Sequence, residues 1–171
     1  MADICFEKMF RASECKPIEY KGKFLHIADK YEIKSGDRFK VILEQFNSEW
    51  RQGVSMILPN GSFRLCGKES GRQIVLWQHS APRVIDNITL FMKRKNTGVL
   101  HIINVWDPGD GIMDSGHNGA AMYIEDLGNN RKRYWCNDGY PDDDLNDIVF
   151  SIEKRKIAKS FVCGKRFVGS K

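Results

Sequence analysis

The feature that most constrains this chain is a two-residue rhythm, broken at short intervals by turn residues. "RFKVILEQF" puts Phe39, Val41 and Leu43 on one face, with Arg38, Lys40 and Glu44 around them. "GVSMIL" does the same with Val54, Met56 and Leu58, "QIVLWQ" with Ile74 and Leu76, and "NITLFMK" with Ile88, Leu90 and Met92. "SFRLC", "GVLHIINVW" and "GAAMYIE" continue the series. Successive side chains of an extended chain point to opposite faces, so this alternation describes strands with one buried and one wet face. Pro59-Asn60-Gly61 predicts a hairpin turn, because proline fixes φ while Asn and Gly tolerate positive φ. No segment sustains a 3.6-residue period. The expected fold is all-β, an antiparallel β-sandwich of jelly-roll or immunoglobulin-like type. Residues 1–35 are the least patterned; "KGKFLHIADKYEIKSGD" predicts a short strand, a turn and a lead-in to the next strand.

A chain of 171 residues with 42% hydrophobic residues can bury a core, and no linker or repeat divides it. A single domain over 1–171 is expected. No apolar run approaches the roughly 18 residues of a membrane span. The start, "MADICFEKMF", has charges inside its apolar stretch, so no signal peptide is read. The expected location is the cytoplasm, or outside by a leaderless route. The five cysteines are odd in number, widely spaced and without a CxxC, which predicts reduced thiols, not a disulfide framework or a zinc site. The net charge of +5 is concentrated at one end: residues 154–171 hold seven Lys/Arg and no acid, which leaves the body mildly acidic. Phe161, Val162, Phe167 and Val168 interleave with those cations, as in a charged edge strand or tail. No nucleic-acid partner is expected.

The acid is concentrated too. In "CNDGYPDDDLNDIVF" (136–150), Asp142, Asp144 and Asn146 stand at i, i+2 and i+4, with Asp147 next. In an extended segment such side chains converge. Calcium accepts carboxylate and amide oxygens, six to eight of them at about 2.3–2.6 Å. Without a cation the carboxylates repel one another and some protonate more readily. An EF-hand would use Asp142, Asp144, Asn146 and Glu153. However, Asp147 occupies the glycine position, and Gly139-Tyr140-Pro141 and "IVFSIE" leave no flanking helices. The competing reading is a bare Asp-rich turn.

Taken together, "YIEDLG" and "DDDLNDIVFSIE", within 119–153, resemble the signature of calcium-binding β-sandwich modules of bacterial surface and adhesin-like proteins. In that signature a Glu-Asp pair ends one strand, and an Asp/Asn run opens its neighbour ahead of an apolar Val-Phe. The resemblance implies Glu125 and Asp126 as one ligand element, and Asp142, Asp144, Asn146 and Asp147 as the other. Val149 and Phe150 would be the apolar end, and calcium the cofactor.

A second acidic loop, "WDPGDGIMDSGHNG" (106–119), carries Asp107, Asp110 and Asp114. Placed at the same end of a sandwich, Asp107 and Asp110 would complete a calcium pair or its rim; the alternative is a flexible hairpin loop. Trp106, Trp135 and Tyr140 flank the two loops. Their ring faces suit the apolar face of a sugar, with carboxylates such as Asp114 bonding its hydroxyls. Trp50 and Trp77 read as core or edge positions. Paired carboxylates invite a glycosidase reading, but no single acid stands out. The histidines lack triad or metal spacing, no G-x-S-x-G occurs, and Lys154 and Arg155 fall out of register for a nuclease core. The expectation is therefore a non-enzymatic calcium-binding sandwich that recognises a carbohydrate or cell-surface ligand at its acidic end. The alternatives are a toxin-like protein using that end on a membrane or receptor, and an intracellular interaction domain with a metal-free turn.

Overall fold

The structure, a computed structural model, describes residues 4–155. A short helix, α1 (Phe6–Ala12), precedes strands β1 (Ile18–Tyr20), β2 (Lys23–His26), β3 (Asp29–Lys34), β4 (Arg38–Phe46), β5 (Arg51–Ile57), β6 (Gly61–Leu65) and β7 (Lys68–Ser70). β8 (Gln73–Trp77), β9 (Val84–Met92), β10 (Thr97–Asp107), β11 (Ala121–Asp126), β12 (Arg131–Asn137) and β13 (Ile148–Arg155) follow.

Strands β3 to β10 pair as one folded ribbon: β3 with β10, β4 with β9, β5 with β8, and β6 with β7. The ribbon turns at Cys66-Gly67, whose φ values of 48° and 77° are the two positive angles a type I′ hairpin demands. Winding this ribbon places β3-β10-β5-β8 in one sheet and β4-β9-β6-β7 in the other. That is the jelly-roll arrangement, not the immunoglobulin-like one. β13, β12, β11, β2 and β1 then extend the second sheet beyond β4 to nine strands, every pair antiparallel.

The alternating pattern fills the space between the sheets. Phe39, Val41, Val54, Met56, Leu58, Ile88 and Leu90 are fully buried there, joined by Tyr134 stacked on Phe150 at 4.6 Å. A second cluster lies under α1: Phe6 and Phe10, one turn apart, pack with Ile18, Leu25, Ala121 and Leu145. At seven residues, α1 is too short to impose a visible helical period, which is why the sequence predicts no helix.

Two expectations are corrected. Pro59-Asn60-Gly61 is a turn, with Gly61 N–H donating to the Leu58 carbonyl at 3.2 Å, but it carries the chain from one sheet to the other and is no hairpin. Its glycine serves close approach: a Cβ there would strike the Phe91 carbonyl. The start of the basic segment is not an edge strand, because Lys154 and Arg155 end β13, which is enclosed by β12 and β4. Lys154 pairs with Asp37 at 2.9 Å and Arg155 with Asp86 at 3.3 Å. The rest of that segment lies outside the described residues. Cys5, Cys15, Cys66 and Cys136 are free thiols. Among the described residues no helix is long and apolar enough to cross a membrane.

Candidate metal centre

β12 ends at Asn137 and β13 begins at Ile148, so the acidic run forms the loop between neighbouring strands. The loop sits at the end of the sandwich where β4 finishes and β5 starts. Asn137, fully buried, organises it from within. Its Nδ2 donates to the Asp142 carbonyl at 2.6 Å and to Asp142 Oδ1 at 3.0 Å, while its Oδ1 accepts the Leu145 N–H at 2.6 Å. Leu145 adopts φ 54°, which turns its side chain down into the cluster under α1. Asp143 points away from its neighbours, accepting the Tyr20 hydroxyl at 2.8 Å and the Lys21 ammonium. Those two partners hold its pKa below the usual carboxylate value, Lys21 foremost. The three consecutive aspartates are thereby split, one to the α1 side and two to the cavity.

Carboxylate oxygens of Asp142, Asp144 and Asp147 lie within 4.8 Å of one another. Two oxygens on opposite sides of a calcium ion are about 4.6–5.2 Å apart, so the three fit inside one coordination sphere and could hold a metal ion. They line a cavity of about 360 Å³ together with Asn47, Ser48, Glu49, Trp50 and Tyr140, and no Lys or Arg is among its lining residues. Asp147 is 6% exposed, and burial pushes its pKa up to about 7; Asp138, Asp142 and Asp144 add repulsion, against the N–H of Asp138 that it accepts at 2.8 Å. Burial also raises the pKa of Asp142, with Asp144, Asp138 and Asp143 adding to it. Asp138 itself is fully buried behind the loop. It accepts Ser48 Oγ at 2.7 Å, Gln52 Nε2 at 2.8 Å and the Tyr140 N–H at 2.8 Å. These donors replace the water it has lost, and they tie the loop to β5 and its lead-in.

The other expected site residues fall elsewhere. Asn146 contributes its backbone: its N–H meets Asp144 Oδ1 at 3.1 Å and its carbonyl accepts Asn47 Nδ2 at 3.0 Å. Glu125 and Asp126 are not brought to the cluster. β11 starts opposite Asn137 and reaches Asp126 five residues later, opposite Lys132, roughly 17 Å along at the strand rise. There Glu125 accepts Trp135 Nε1 at 3.2 Å, and Asp126 accepts the Gly128 N–H at 2.8 Å.

The 106–119 loop does open at the same end, and the two loops touch: Gly119 N–H donates to the Gly139 carbonyl at 3.4 Å. Asp107 and Asp110 nevertheless stay out of the carboxylate group. Asp107 Oδ1 accepts the N–H groups of Gly109 (2.8 Å) and Gly111 (3.1 Å), and Asp110 accepts that of Ile112 (2.9 Å). Asp114 lies 3.4 Å from His117 Nε2 and pairs backbone to backbone with Trp106. Trp106 is 1% exposed and offers no ring face to a ligand; it is the floor beneath Gly139, where a Cβ would come within 2.8 Å of its indole. Trp135 is half-buried against the α1 cluster. Tyr140 is exposed, and its partner is Trp50, whose ring meets it edge-on at 6.2 Å.

Asn137, Asp138, Ser48 and Trp50 are the site residues that the sequence does not single out. Asn137 and Asp138 read there as turn formers, and nothing around "NSEW" marks a site. No protein-family model, curated protein or solved structure matches the chain.

Proposed function

We propose that the protein is a ligand-binding module that holds a divalent cation, calcium by the hardness and number of its oxygen donors, between Asp142, Asp144 and Asp147. The observation that carries this reading is the convergence of three carboxylates on one cavity without a cationic side chain, two of them with raised pKa. A cation would offset the burial and the repulsion that raise them. Carbohydrate is the ligand class we propose for the same cavity. Trp50 and Tyr140 supply a ring edge and face at its rim, and Asn47, Ser48 and Glu49 supply polar atoms.

Thermal melting tests the cation. Calcium at 100 times its Kd should add about 2.7 kcal/mol, a rise of roughly 5–10 °C for a domain of this size. A melting temperature identical in calcium and in chelator would sink the reading. A glycan array run in calcium and in chelator tests the ligand: binding should need the cation and should be lost in Trp50→Ala and Tyr140→Ala.

A second reading is favoured by one observation. Ile112 (61% exposed) and Met113 (43% exposed) stand at the tip of the loop beside the cluster. An apolar tip next to a cation site is suited to a membrane surface. Sedimentation with anionic vesicles, dependent on calcium and lost in Ile112→Ser, would select it over the sugar.

A further inference from the structure

The outer face of the nine-stranded sheet carries a second polar cavity, far from the acidic loops along the strands of the ribbon. Thr89 of β9 has Arg38 of β4 as its direct ladder partner on one side and Arg64 of β6 on the other. Neighbouring strands are about 4.8 Å apart, so the two arginines rise roughly 10 Å from each other with Thr89 between them. Direct partners share a face. Phe39, Ile88 and Leu90, adjacent along these strands, are fully buried, so this row points outward. Arg38, Arg64, Cys66, Gly67, Asp86, Asn87 and Thr89 enclose a cavity of about 410 Å³.

The charges here are not matched. Asp86 is the acid in the cavity wall, and its oxygens are engaged: Oδ1 accepts the Asn87 N–H at 2.7 Å and Oδ2 faces Arg155 at 3.3 Å. Glu69 stands opposite Arg64 in the β6–β7 ladder but forms no ion pair with it. Among the described residues no carboxylate pairs with Arg38 or Arg64. Arg64 is held in place by its guanidinium lying over the Phe91 ring, 4.8 Å from the centroid. Thr89 Oγ1 makes only a 3.3 Å bond to the Asn87 carbonyl.

Two guanidinium forks facing one space repel each other until an anion joins them. A carboxylate has two oxygens and is satisfied by a single fork. A terminal phosphate offers three and can serve both arginines at once. We propose that Arg38 and Arg64 form a binding site for a phosphomonoester group, on a soluble ligand or a lipid headgroup.

Cys66 is exposed in the wall of this cavity and reports on it directly. Alkylation by neutral iodoacetamide can be followed at Cys66 by site-resolved mass spectrometry, with the exposed Cys15 as reference. Inorganic phosphate, at ionic strength held constant with chloride, should slow alkylation of Cys66 and leave Cys15 unchanged. Arg38→Ala and Arg64→Ala should each raise the half-protecting concentration about tenfold or more. Protection by phosphatidic acid vesicles, and not by phosphatidylcholine or inorganic phosphate, would assign the site to a headgroup. Both side chains are exposed, so the variants should melt with the wild type. The proposal is overturned if neither phosphate nor phosphatidic acid protects Cys66, if chloride protects it equally, or if protection survives in the Arg38→Ala/Arg64→Ala double variant.

Discussion

The loops at 107–119 and 138–147 leave the same end of the sandwich and share their residue types, yet Asp107 in the first and Asp142 and Asp147 in the second are in opposite electrostatic states. Asp107 closes its own loop by accepting two backbone N–H groups, and those bonds, the one from Gly109 foremost, hold its pKa below the usual carboxylate value. Asp142 and Asp147 are raised, chiefly by burial and then by neighbouring aspartates, Asp144 foremost for Asp142 and Asp138 for Asp147. Both loops turn backbone N–H groups onto carboxylates; what separates them is that the second gathers three carboxylates, one of them buried, on one cavity. In the first loop the chain turns its own N–H groups onto the carboxylates. In the second, Asn137 bonds the loop from within alongside such N–H contacts, Leu145 pins it to the α1 cluster, and Asp142, Asp144 and Asp147 converge on the cavity. Composition alone makes the two loops look alike, whereas only the second brings three carboxylates together.

The largest expected effect is at the support of the second loop. Asp138→Ala leaves Ser48, Gln52 and the Tyr140 N–H without their acceptor and should cost roughly 3 kcal/mol in denaturant unfolding. A loss below about 1 kcal/mol would mean that Asp138 does not hold the loop. Next comes Asp147→Asn, which should abolish the calcium-induced rise in melting temperature without lowering the melting temperature in chelator. An unchanged calcium shift in that variant would place the ion elsewhere.

Titration separates Asp147 from Asp107 by sign. Asp147 has a folded pKa of about 7 against the ordinary aspartate value of 3.8, so the folded state binds the extra proton between those values. In chelator, stability should therefore rise as pH falls from above 7 toward 4. Asp107 is depressed, so its contribution is present above the unfolded pKa and is lost as pH falls below it. Melting in chelator across pH 4–8, with Asp147→Asn alongside, should show the first slope in the wild type and a flatter line in the variant; equal slopes would contradict the assignment. The smallest effect is Asp107→Ala, a slight drop in melting temperature with the calcium shift intact. If that variant lost the shift, the two loops would form one site after all.

Much of the fold is legible in the alternation. Phe39, Val41, Val54, Met56 and Leu58 face the core as their spacing requires, because burial of one sheet face leaves little freedom. The cluster Asp142, Asp144 and Asp147 is legible for the same reason, since short spacings survive into structure. What escapes is set by distant partners. Asp138 meets Ser48 across 90 positions of sequence and Gln52 across 86. Trp106 resembles a ligand-facing ring until the close approach of Gly139 is seen. Trp50 becomes part of the site only because β5 begins beside the loop. Glu125 and Asp126 fit a signature by order along the chain, but the β11–β12 hairpin carries them to its far end.

The folded ribbon has a kinetic consequence. Its innermost pair, Leu65 with Lys68, closes a two-residue turn, whereas Asp29 with Ile102 would close almost the whole ribbon if formed first. Each inner pair shortens the loop that the next must close, so closure entropy favours zipping from the Cys66-Gly67 tip outward. Pulse-labelled amides of β6 and β7 should then gain protection before those of β3. β13 can dock only on a β4 that is already placed, and the bonds from Ser48 and Gln52 to Asp138 come with that docking. The carboxylates share one loop and can gather early, but their long-range buttress, Asp138 held by Ser48 and Gln52, is complete only in the docked molecule.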